Sequence, residues 1–183
     1  MSEDAVEKLF LKASIFEFER YKKLSESALA QTSDEEWFYI PAPESNSLAV
    51  IVKHVAGNLR SRWSDFLTTD GEKPDRHRDL EFELTEADSV ENLRQRWKEG
   101  WNVTLGTLKS LEAADLTRTV TIRSQPVSVV DAVQRSLAHI AYHSGQIVQL
   151  VKHLRGAEFD NLSIPKGKSE EFLTSMRQQH TKS

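Results

Sequence analysis

Cysteine is missing from this chain of 183 residues. That excludes a disulfide scaffold, a Cys-based zinc finger, an iron–sulfur cluster and any cysteine nucleophile. Glycine and proline are scarce, at seven and five residues, which disfavours a turn-rich β fold and favours long helices. Neither sign of charge dominates. The 24 basic and 28 acidic side chains give a net −4, with no basic patch for nucleic acid or a membrane surface. No apolar run approaches the roughly 20 residues needed to span a bilayer. The opening Met1-Ser2-Glu3-Asp4 is acidic and no apolar stretch follows a basic one, so no signal peptide is expected. These absences predict a soluble cytoplasmic protein. The length fits a single domain, 1–183, able to bury a core without covalent staples.

What is present is helical periodicity. Val6, Leu9, Phe10, Ala13, Phe16, Tyr21, Leu24 and Ala28 recur near every 3.6 residues and predict a first helix over 3–29. Pro41 and Pro43 bar a regular helix through the aromatic stretch Trp37 to Ile40, which reads as a loop with an aromatic plug. Leu48, Ile51, Val52, Val55, Leu59, Trp63 and Phe66 predict a second helix over 46–69, capped by Ser45 to Ser47 and ended by Gly71. A charged loop with Arg76, His77 and Arg78 follows. Asp88 and Glu91 have capping-box spacing and start a third helix over 89–111, with Trp97 and Trp101 on its apolar face. β-branched residues around Arg123 to Pro126 predict a hairpin near 118–128. The fourth helix, 128–155, begins at Ser128 with Asp131 three residues on and ends at Gly156. A short helix from Ser169 to Gln178 closes the chain. The pattern predicts an all-α four-helix bundle with a small hairpin before the fourth helix.

Of six histidines, His139 and His143 stand at i and i+4 in the most apolar helix. That spacing sets two imidazoles on one face, one turn apart, able to share a metal. Spacing alone is weak, because such pairs arise by chance. Context strengthens it: two imidazoles in a bundle core are costly unless hydrogen-bonded or ligated. Gly145, inside the same helix, would let another group approach closely. His54 lies in the middle of the second apolar stripe, where a lone histidine is more often a satisfied core residue. His77 and His180 read as solvated. His153 lies ten residues past His143 and off the pair's face.

His139-x-x-x-His143-x-Gly145-Gln146-Ile147 resembles the fourth-helix motif of the DinB-like (YfiT-like) superfamily. The second helix resembles it through His54-Val55-x-Gly57-Asn58-Leu59-x-Ser61-Arg62-Trp63-x-Asp65-Phe66-Leu67, continuing to Asp70-Gly71-Glu72-Lys73. The tail Leu162-Ser163-Ile164-Pro165-x-Gly167-x-Ser169-Glu170 is similar to a subfamily of unknown function. The resemblance covers about 45–172. It implies an up-down-down-up four-helix bundle and a divalent metal, zinc, nickel or similar, on His54, His139 and His143. It also implies chemistry with low-molecular-weight thiols, since the superfamily includes thiol-dependent transferases and isomerases.

Three neutral imidazoles leave a metal an open position, as a catalytic site requires. With no cysteine in the chain, a sulfur nucleophile must come from a cosubstrate. Three functions follow: thiol S-transfer to an electrophile, metal-dependent hydrolysis, or a non-enzymatic, metal-stabilised stress or interaction protein. Asn58, four residues after His54, is a candidate to support the site, and Gln146 could reach it from His143. Tyr142 should point away and pack. Arg76 and Arg78 could bind an anionic substrate if their loop folds over the site, but a solvated charged loop is the expectation. The expected partners are a small-molecule substrate and a second copy of the chain, with no nucleic acid and no membrane. The homodimer is expected from the resemblance, the four tryptophans and the C-terminal extension.

Overall fold

A computed structural model describes residues 5–180, with the His180 side chain excluded. The described residues form five α-helices and one two-stranded sheet: α1 Ala5–Leu29, α2 Leu48–Trp63, α3 Val90–Ser110, β1 Thr119–Ile122, β2 Gln125–Ser128, α4 Val129–Arg155 and α5 Ser169–His180. Short 3₁₀ turns fill several connections, among them Glu35–Phe38 and Arg78–Phe82. The expected first-helix start at Glu3 lies outside the described residues. Among the described residues no helix is long and apolar enough to cross a membrane.

The long helices pack with α2 chiefly against α3 and α1 against α4. Glycine at position 100 makes the first pairing possible. A Cβ there would lie 3.0 Å from the Ala56 carbonyl oxygen and 3.2 Å from the Leu59 Cβ. The centre is aromatic: Phe18 meets Trp63 edge-on at 5.8 Å and Trp101 at 6.4 Å, and all three rings are fully buried. Of the two indole N–H groups at this centre, that of Trp101 has no hydrogen-bond partner among the described residues and that of Trp63 has one. Trp63 donates to the Ser136 hydroxyl, and Ser25 donates to Ser144 across α1 and α4. Trp37 is the buried plug of its loop, whereas Phe38 and Tyr39 are exposed.

Two helix boundaries differ from expectation, for local reasons. Helix α2 stops at Trp63, six residues short of position 69. Asp65 takes the left-handed conformation (φ 47°) that a helix end favours, and its carbonyl accepts from Thr68 and Thr69. Gly71 is not the cap. At the start of α3, Ser89 caps the helix by accepting from Asn92, and Asp88 does other work. Its buried carboxylate takes Lys53 of α2 at 2.8 Å, Arg96 at 3.1 Å and the Thr85 backbone at 2.9 Å.

The long connection between α2 and α3 is therefore pinned to the body. Asp88 fixes its end. Asp70 fixes its start by accepting from the backbone N–H groups of Arg123 and Ser124 at 2.9 and 2.7 Å. Those two residues form the hairpin turn between β1 and β2, both at positive φ without being glycine. The Asp70 carboxylate supports that turn where glycine would otherwise be expected. The hairpin thus closes over the end of α2, and Gly71 donates to the Thr121 carbonyl at 2.8 Å.

Candidate functional site

Helices α2 and α4 bring three histidines to one point. His54 comes from the middle of α2, and His139 and His143 from successive turns of α4. One ring nitrogen from each lies within 4.8 Å of the others, an arrangement that could hold a metal ion. His54 is buried and the other two are half-buried. The Nε2 atoms of His54 and His139 are 3.1 Å apart. All three rings meet at steep angles, with centroids 4.5 to 5.2 Å apart.

The outward nitrogens decide the tautomers. His54 Nδ1 lies 2.8 Å from a carboxylate oxygen of Glu81. Burial raises the Glu81 pKa, but hydrogen bonds from His54 and Arg76 outweigh that and hold it below the ordinary value. An ionised carboxylate only accepts, so His54 Nδ1 carries a proton, and in the neutral ring Nε2 then keeps a lone pair facing inward. His143 Nδ1 lies 2.7 Å from Gln146 Oε1, and the Gln146 amide nitrogen donates to the Tyr142 hydroxyl. With the amide so oriented, His143 Nδ1 also donates outward. His139 Nδ1 is buried without a protein partner.

The electrostatics favour the neutral form of His139 and His143. Burial, then the neighbouring His143 and His54, push the His139 pKa down to about 3. Burial also lowers His143, against the opposing Gln146 bond. Neutral imidazoles are the form in which histidine binds metals. The donor set fits a divalent ion: three nitrogen ligands, two of them oriented by acceptors on their far side.

Glu81 went unmarked in the sequence, and it holds His54 in place. It is buried in the 3₁₀ turn Arg78–Phe82, 27 residues from its partner. Arg76 clamps it with two bonds, Nε to Oε1 at 2.8 Å and Nη2 to Oε2 at 2.9 Å. Arg76 also pairs with Glu72 at 3.2 Å and is almost wholly buried, so it is not part of a solvated loop. The carboxylate fits because residue 57 is glycine, as a Cβ there would come within 2.9 Å of Glu81 Cδ. Phe82 lies against the His54 ring at 4.9 Å. A glycine inside the α2 stripe, three residues after His54, was the one available hint.

Other expectations fare variously. Asn58 is buried and lines a pocket with His54 and His139. Gln146 reaches the site through His143. Tyr142 does not pack into the core: it is 63% exposed, and its ring meets that of His143 edge-on with centroids 4.9 Å apart. Gly145 has open space where a Cβ would stand, so no group approaches it. Trp97 and Trp101 are buried in the core. Arg78 is exposed and lies over Phe82 at 5.0 Å. His77 and His153 are exposed and outside the group, His153 stacking on Tyr39. The His180 side chain lies outside the described residues.

A mostly helical protein with three convergent histidines from two helices is the class defined here. The family model described as "Protein of unknown function (DUF1572)" matches residues 5–168, and the chain belongs to that family. No curated protein matches it. Its fold is similar to the crystal structure of a DinB-like protein from Bacillus subtilis, with a TM-score of 0.62 and 19% identity. That match covers 81% of this chain and 96% of the other. A conserved protein from Enterococcus faecalis is similar too, at TM-score 0.59 and 18% identity, covering 79% and 96% of the two chains. The chain is thus a member of a family of unknown function, with a fold similar to that of a DinB-like protein.

Proposed function

We propose that His54, His139 and His143 bind one divalent ion, zinc, nickel or similar, and that the protein is a metal-dependent enzyme acting on a small molecule with a small thiol as cosubstrate. The observation that carries the metal reading is the tautomer pattern. His54 and His143 each give their outward proton to an acceptor, which leaves inward lone pairs converging on one point. An isolated pair of core histidines would have no need of such a pattern. The enzyme reading is supported by access, because His54 and His139 also line an open pocket. A structural metal is usually closed in by protein ligands.

A bound divalent ion supplies Lewis acidity, which favours the deprotonated form of a thiol or water beside it. The chain itself favours the neutral form of His139 and His143, orients His54 and His143, and keeps Glu81 ionised behind His54. It contributes no thiol, so the cosubstrate provides one. In the transfer, the thiol loses its proton to solvent, its sulfur bonds to the electrophilic carbon, and the leaving group departs from that carbon with the bonding pair. Residues 1–183 act in this reading as a single DinB-like domain.

The test is elemental analysis paired with a thiol assay. Purified wild-type protein should carry about one divalent ion per chain, and His143→Ala should lose most of it, since two ligands make a poor site. Transfer of a small thiol to an electrophilic dye should vanish with chelator and return with metal. Equal metal content in the variant would refute the ligand set. Metal-dependent ester cleavage without any thiol would replace transfer by hydrolysis.

A further inference from the structure

The pocket that reaches His54 and His139 is lined by five arginines: Arg62, Arg76, Arg78, Arg123 and Arg135. We propose that it binds the anionic end of a small molecule, a carboxylate or phosphate group, and presents the rest of that molecule to the three imidazoles. The proposal deepens the proposed function and rests on it for the reacting end. The anion site itself stands on its own residues.

The chain's own carboxylates leave part of this charge unmatched. Glu81 and Glu72 take Arg76, Glu72 also takes Arg123 at 3.1 Å, and Asp79 lies 3.6 Å from Arg78. Among the described residues no ion pair reaches Arg62 or Arg135. Arg62 is the more telling of the two. Its Nη1 is buried with no hydrogen-bond partner. Burial lowers its pKa, Glu72 opposes this, and the nearby Arg76, Arg123 and Arg135 lower it further. A buried donor without an acceptor and a cation among cations are both costly. An oxyanion in the pocket would offset the crowding of cations, and a guanidinium suits carboxylate and phosphate by its forked donors.

The backbone makes room for this arrangement. Residue 71 is glycine, and a Cβ there would lie 2.8 Å from Arg62 Nη1 and 3.0 Å from its Cδ. His54, Asn58 and Arg62 follow at i, i+4 and i+8, so one face of α2 runs from the imidazoles to the guanidinium. Arg135 and His139 repeat the relation on α4. The pocket volume is about 230 Å³, below the roughly 300–1,000 Å³ of sites for drug-sized ligands. Its occupant is therefore a small metabolite-sized anion.

Calorimetry on chelator-treated, dialysed protein tests the site without the metal. The probes are inorganic phosphate and succinate, which separate a phosphate from a carboxylate ligand. Saturable binding of at least one probe is expected. Arg62→Gln with Arg135→Gln should weaken it at least tenfold, and Arg135→Gln alone several-fold. Arg135 is exposed, so that single variant does not endanger the fold. Arg20→Gln on the far helix α1 should leave the affinity unchanged. No saturable binding of either probe, or undiminished binding by the double variant, would overturn the proposal. Divalent-metal content of the same proteins before chelator treatment separates the two readings. Metal without anion binding sinks only this inference, whereas anion binding without metal sinks only the metal site.

Discussion

His54 and His143 face the same point but are held in opposite ways. His143 is steadied by Gln146, three residues along the same helix, at a partly exposed surface. His54 is steadied by Glu81, 27 residues away, in a buried network that continues to Arg76 and Glu72. The local support costs little to build and contributes little to the fold. The remote support is part of the fold, because the same ion pairs that orient His54 also fasten the connection between α2 and α3. Damage to one side should change ligand affinity alone. Damage to the other should change stability as well.

The largest effect is expected from removing Arg76. Its guanidinium is 5% exposed, and Arg76→Ala leaves the buried Glu81 carboxylate without its cation. Breaking one partner of a buried pair costs about 3–5 kcal/mol. For a chain of this size that corresponds to a drop of roughly 6–20 °C in the melting midpoint. Thermal melts followed by circular dichroism check this. A melting temperature within a degree or two of wild type would show that the network is not holding the connection.

Acid should reach the remote and local sides in sequence in metal-free protein. His139 titrates near 3 in the fold against an ordinary 6.5, so its proton is taken up only on unfolding between those values. Its stabilising contribution is full above about pH 6.5 and falls by at most about 1.4 kcal/mol per pH unit below it. His143, lowered in the same direction, adds to this loss. Glu81 is lowered from 4.5, so its contribution persists above that value and is lost as pH falls through the lower one. Melts should decline first below pH 6.5 and more steeply below 4.5. In His139→Ala the first decline should shrink and the second remain. A flat melting temperature between pH 7 and 5 would contradict the buried, neutral state of these rings.

The same contrast explains what was legible in the sequence. The stripes of α1 to α4 are readable because each is repeated locally every turn, and His139 with His143 because both ride on one such helix. Ser47 and Ser128 cap their helices as their position suggests, by accepting from Val50 and Asp131. Gln146 could be named as a contact because it sits three residues from His143. Glu81 could not, and Arg76 only as a cation of a loop that folds over the site, since their place depends on how the connection folds back, and nothing periodic marks it. The end of α2 was misplaced for a related reason. Gly71 looks like a cap in sequence, but its missing Cβ serves Arg62 instead. Asp88 was likewise taken for a cap when Lys53, a contact 35 residues away, claims its carboxylate. His54 had no partner at all in its local pattern, and it joined the pair only through the family resemblance.

The smallest expected effect is the difference between the two supports on metal binding itself. Glu81→Gln keeps the shape of the side chain and removes its charge. His54 would then lose an ionised acceptor and part of its basicity, while Arg76 would keep a neutral partner and Glu72. Loss of such a supporting carboxylate typically costs 10–100-fold in metal affinity. Gln146→Ala removes a neutral acceptor from a half-exposed ring that water can reach, so its cost should be below about tenfold. Competition with a chelating dye measures both on the same scale, and Gln146→Ala should leave the melting temperature nearly unchanged. Tyr142 is exposed and cannot substitute for the lost amide without moving, which makes water the replacement. An equal or greater loss in Gln146→Ala would mean that the inward aim of His143, rather than the charge behind His54, sets the affinity of the site.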